Sequence, residues 1–251
     1  MNHPTRLTAV CIALSFALPV RAQDGDVSMG YFTTTDMAHV QGFEEGMLGH
    51  VGWHAEQDDP WPGYVYQSMQ GGMEYVWVTS GRTWADFDNP PVDPHADMMD
   101  VAQRAGSDIT GLDVRTWVTW TDVSRPPSPD AVVPIWRVIE WELSPTAEGM
   151  EALRSAFGKV KAAYEAEGLP VRYTVNEMVG IDGAPQMFVA IALESLGLLD
   201  GGEPDGFERM LAQVHGHADA VQISRTFETY LSPIANRVWV LRPDLSHMPG
   251  T

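Results

Sequence analysis

Two histidines stand four residues apart in the peptide His50-Val-Gly-Trp-His54. On a helix, positions i and i+4 share one face, roughly 6 Å apart, so the imidazoles can converge on one metal ion or line one pocket as acid and base. The spacing is that of helical zinc proteases. Val51, however, stands where their general-base glutamate follows the first histidine, which argues against that reaction. The competing reading is plain packing, with each ring bonded to a neighbouring carbonyl at a partly exposed helix end.

The element that carries them is predicted to be a helix over residues 43–56. Phe43, Met47, His50 and His54 recur along it as one stripe. Gly42, Gly46, Gly49 and Gly52 form a bare strip beside it, at a cost of about 3–4 kcal/mol in helix propensity relative to alanine. Such a face implies a close approach to the backbone, either by another packed element or by a flat ligand.

The chain repeats itself. Arg115-Thr-Trp117-Val118 matches Arg237-Val-Trp239-Val240, and Met73 to Asp88 matches Pro185 to Asp200, in the same order along the chain. Between the copies, Ser124 to Pro134 is proline-rich and reads as a linker. Each copy reads β-α-β-β-α-β: strands over 29–35, 64–69, 74–79 and 114–121 with helices over 43–56 and 97–104, then strands over 135–143, 171–178, 186–192 and 237–241 with helices over 150–167 and 207–215. Turns at Gly71-Gly72 and at Gly180 to Gly183 join the middle strands as hairpins. The expected fold is therefore α+β, two tandem ferredoxin-like repeats with antiparallel sheets and helices outside. The divisions are residues 1–22, 23–124, 125–134 and 135–251.

The duplication isolates the histidines. Leu153, Phe157, Val160 and Tyr164 form the apolar stripe of the second copy, and sliding back by 110 residues lands on Phe43, Met47, His50 and His54. Positions that are Val and Tyr in one copy are both His in the other.

In element order and duplication the chain resembles the dimeric α/β-barrel superfamily, which includes antibiotic-biosynthesis-type monooxygenases, haem-degrading enzymes, chlorite dismutases and small stress proteins. That resemblance implies oxidoreductase or monooxygenase-like chemistry. In haem-binding members the haem lies between sheet and helices on a helical histidine, which would suit His50 beside Gly46 and Gly49. In chlorite dismutases the haem belongs to the C-terminal repeat, so His215 is a second candidate. Arg115, Tyr66, Tyr75 and Trp117 are expected to line the same pocket, with either haem or a divalent metal as its cofactor.

Residues 1–22 read as a leader: Arg6, an apolar run from Leu7 to Val20, and Val20-Arg21-Ala22 as the cleavage site. That run is shorter than the roughly 20 residues a bilayer needs. A periplasmic or secreted protein is expected, without the single cysteine, Cys11, and so without disulfide, thiolate ligand or cysteine nucleophile. With 34 acidic against 15 basic residues and a net charge of −19, the chain lacks the basic footprint of a nucleic-acid or membrane binder. No phosphate loop, dinucleotide fingerprint, serine-nucleophile elbow or EF-hand occurs. A small-molecule ligand is the expected partner, with a second copy of the chain left open. The other reading is a non-catalytic binding or assembly module with a fully packed barrel.

Overall fold

The computed structural model describes residues 26–144, 146–180, 185–200 and 206–250. The expected leader over residues 1–22 lies outside the described residues, as do residues 181–183 of the second hairpin turn. The first half runs β1 (Val27–Thr35), α1 (Val40–Glu56), β2 (Tyr64–Ser68), β3 (Met73–Arg82), α2 (Trp84–Asp88), α3 (Pro94–Arg104) and β4 (Gly111–Thr119). The second runs β5 (Ile135–Leu143), α4 (Ala147–Ala166), β6 (Arg172–Val179), β7 (Gln186–Leu193), α5 (Gly206–His215), α6 (His217–Tyr230) and β8 (Leu231–Leu241).

The eight strands close into one barrel in the order β1-β3-β2-β8-β5-β7-β6-β4, every neighbour antiparallel. Each half supplies four adjacent strands in the ferredoxin-like order, and the halves join where β2 meets β8 and β4 meets β6. The α+β expectation therefore holds, with antiparallel strands throughout and helices outside. Strand alternation gives every strand two faces. Along β3, Val76 and Val78 face the lumen while Tyr75 and Trp77 face α1.

The structure differs from expectation in three respects. Neither the short α2 nor α6 is among the helices that the sequence predicts. Gly216, at φ 86°, separates α6 from α5 in a left-handed conformation that favours glycine, and Ala220 and Ile223 bury the inner side of α6 against α4. β8 begins at Leu231 rather than Arg237, and a register shift between Glu140 and Trp141 of β5 accommodates Pro233. Finally, the proline-rich stretch is no free tether. Arg125 pairs with Tyr173, Tyr66 Oη donates to the Val133 carbonyl and Leu241 N to that of Pro134, so the segment caps one end of the barrel. Among the described residues no helix is long and apolar enough to cross a membrane.

Candidate metal centre

Phe43 and Met47 of α1 pack with Val65 and Tyr75, which fixes the helix rotation. The next two turns then aim His50 and His54 at the space between α1, α3 and the outer face of β3, where both rings are buried. The opposing helix is held at its start by Asp93, whose side chain accepts from His95 N, with Pro94 at its first position. That start puts Asp97 and Asp100 one turn apart, against the two rings.

Each ring is oriented from behind by a carboxylate. His50 Nδ1 donates to Asp100 Oδ2 at 2.9 Å, and His54 Nδ1 donates to Asp59 Oδ2 at 2.7 Å. A carboxylate only accepts, so each neutral imidazole keeps its proton on Nδ1 and its lone pair on Nε2. The two Nε2 atoms lie 3.2 Å apart, and Asp97 Oδ1 lies 3.2 Å from that of His50 and 3.4 Å from that of His54. Three electron pairs thus meet at one point, which either a shared proton or a bound cation can reconcile. Four ligands at 2.0–2.1 Å around a tetrahedral ion stand about 3.3 Å from one another, close to the spacing seen here.

The electrostatics agree. Burial alone would lower the pKa of His54, but hydrogen bonds and charge from Asp97 and Asp59 outweigh it and raise the pKa. Burial alone would raise that of Asp97, and the two imidazoles more than offset it, holding the carboxyl at about 2.

Asp59 reaches His54 through a tight turn after α1. Asp58 takes φ 51°, Asp59 N donates back to the His54 carbonyl, and Asp59 Oδ1 accepts from Trp61 N. From the C-terminal segment, His247 donates to the Asp59 carbonyl at 2.9 Å and stacks on His54. Trp77 stacks on the other side of the pair's pocket, 5.2 Å from His54. Gly63 makes room for it, since a Cβ there would lie 2.0 Å from the indole.

The residues expected to share one pocket are divided between two. Tyr75 lies on the histidine side of the sheet, in the small cavity of about 60 Å³ beside His50 and Asp97. Tyr66, Arg115 and Trp117 line the barrel lumen on the other face. At Gly42, Gly46 and Gly49 the glycine strip is covered by protein rather than by a flat ligand, while Gly52 is open. A Cβ on Gly46 would stand 2.5 Å from the Arg104 carbonyl oxygen, one on Gly49 2.7 Å from Arg104 Nη1, and one on Gly42 2.6 Å from Asp108. The C-terminal end of α3 therefore fills the face that a haem would need. The cavity of about 60 Å³ beside His50 is far smaller than a porphyrin, so haem does not fit here. His215, the other candidate, gives Nε2 to the Lys159 carbonyl.

Asp97, Asp100 and Asp59 went unread in the sequence, although one signal was available. The 112-residue offset that relates the later elements places Asp97 opposite Arg209 and Asp100 opposite Ala212. The acids are as one-sided as the histidines.

No family profile and no curated sequence matches the chain. Solved structures do. A chlorite dismutase from Candidatus Nitrospira defluvii superposes with a TM-score of 0.55 at 14 % identity, over 88 % of this chain and 93 % of that one. A candidate monooxygenase from Fusobacterium nucleatum gives 0.56 at 8 %, over 87 % and 93 %. An anthrone oxidase-like protein gives 0.50 at 13 %, over 92 % and 98 %. At such identities the likeness is one of architecture, and the chain has the dimeric α/β-barrel fold within a single polypeptide.

Proposed function

We propose that the protein is a mononuclear metalloprotein in which His50, His54 and Asp97 hold one divalent first-row transition-metal ion. The observation that carries this reading is the convergence of two imidazole lone pairs and a carboxylate at ligand spacing, with a second carboxylate behind each ring. Two histidines and one carboxylate leave coordination positions free, and this donor set is the one that non-haem iron(II) oxidoreductases use. Asp100 and Asp59 hold the ring tautomers, Trp77 and His247 cover the ring faces of His54, and the apolar cavity beside His50 and Asp97 receives a small group. The oxidase and monooxygenase neighbours support oxidoreductase chemistry, though only through a shared fold. The leader over residues 1–22 would place this centre outside the cytoplasm.

The test is metal content and open coordination. Protein purified without chelator should hold about one equivalent of metal, lost in His54→Ala and Asp97→Ala. The cobalt(II)-substituted protein should change its visible spectrum on adding azide, because azide takes a free position. Bound cobalt indifferent to azide would instead indicate a closed clamp between α1 and α3, the non-catalytic reading. Absence of bound metal at micromolar supply would defeat both.

A further inference from the structure

The barrel lumen is a second site, separated from the histidine cluster by the sheet itself. Its cavity is about 540 Å³, inside the range of small-molecule sites, roughly 300–1,000 Å³. Trp117, Trp136, Trp239, Phe32 and Phe188 supply aromatic walls. Polar groups among them satisfy one another. Tyr66 Oη donates to the Val133 carbonyl and accepts from Trp136 Nε1, while Asn176 accepts from Thr119 Oγ1 and donates to Thr174 Oγ1. Arg115, its guanidinium over Phe32, pairs with Asp113 and lies 3.6 Å from Glu140. The rings share the rest of the wall with aliphatic side chains, serine and threonine hydroxyls and the buried Glu140.

The exception stands at the rim. Arg82 lies over the Trp61 ring at 4.6 Å, and its Nε is buried without a hydrogen-bond partner. Asp26 shares this rim but makes no hydrogen bond to Arg82 among the described residues. Asp86 is near enough to Arg82 to feel its charge, but no carboxylate forms an ion pair with Arg82 among the described residues, and a ligand carboxylate at the guanidinium would supply that pair. Pro126, Pro127 and Pro129 of the anchored segment line the same cavity as Arg82.

The geometry points to a planar aromatic acid as the lumen's ligand, its rings against Trp117, Trp136 and Trp239 and its carboxylate on Arg82. This stands apart from the metal centre, since it rests on the opposite face of β3.

The probes are 2-naphthoate and its neutral analogue 2-naphthamide, titrated calorimetrically and by tryptophan fluorescence, with EDTA and with zinc. One equivalent of 2-naphthoate should bind at least 10-fold more tightly than the amide, equally in both conditions. Arg82→Met should bring 2-naphthoate down to the affinity of the amide. Ala190→Phe, which fills the lumen without changing charge, should abolish both. Arg82 sits at the partly exposed rim, so its variant keeps the test decisive should Ala190→Phe fail to fold. Absence of saturable binding, equal affinities for acid and amide, survival of binding in a folded Ala190→Phe protein, or loss of binding with EDTA would each overturn the assignment.

Discussion

His54 donates Nδ1–H to Asp59 across 2.7 Å, and Asp59 belongs to the loop that leaves the helix rather than to the opposing helix. The bond fixes which nitrogen of His54 faces Asp97. Without that carboxylate the ring is free to rotate and its basicity falls. Asp59→Ala should therefore weaken zinc or iron(II) binding about 10–100-fold while leaving all three ligands in place. Chelator competition measures this. Asp97→Ala, which removes a ligand outright, should lose more.

A pair of glycine substitutions separates crowding from propensity. Gly63→Ala puts a methyl into the Trp77 indole, displacing a ring that packs on both histidines. A loss of roughly 1–3 kcal/mol is expected, together with weaker metal binding. Gly52→Ala lies on the exposed side of α1 with nothing within 4 Å, so it should gain up to about 1 kcal/mol from helix propensity. Thermal melts of the two metal-free variants should move in opposite directions.

What the sequence shows of this site follows from how locally each part is encoded. His50 and His54 are legible because one helix turn sets their relation. Asp97 lies on another helix and reaches them only through tertiary packing, and Asp59 depends on the left-handed turn at Asp58. Among 34 acidic residues nothing local distinguishes either. The misgrouped aromatics have a similar cause. Tyr66 pairs with Val76, and Tyr75 pairs with Gln67, so the two tyrosines occupy opposite faces of the sheet. That parity is set by hairpin register, which alternation within one strand does not reveal. The barrel itself was legible because duplication and element order are global patterns.

Copying the sister repeat into the first one tests whether the site is a unit. His50→Val with His54→Tyr removes both imidazoles but leaves Asp59 buried and its carboxylate without its ring partner. Stability should fall by about 1–3 kcal/mol, since a buried carboxylate has lost its hydrogen-bond donor. Adding Asp59→Ser should recover part of it. A double variant as stable as the parent in the absence of metal would show that the imidazole–carboxylate pairs contribute nothing to folding.

The last prediction concerns acid stability at the opposite end of α1. Arg242, at the end of β8, binds Glu44 of α1 and, at 2.8 Å, Asp244, and Glu44 also accepts from Tyr75 Oη at 2.7 Å. Arg242 holds both carboxyls below their ordinary range, through hydrogen bonds first and charge second. A carboxyl whose folded pKa is depressed stabilises the fold above its unfolded value, about 4, and loses that contribution as pH falls through the lower folded value. The sites are partly open to solvent, so screening limits the sum to on the order of 1 kcal/mol. Arg242→Met should therefore melt a few degrees below the parent at pH 7, and the gap should narrow as pH drops below 4. Melting curves collected from pH 2.5 to 7 for both proteins, without metal, decide it. A gap that stays constant across that range would mean that Arg242 acts by packing alone.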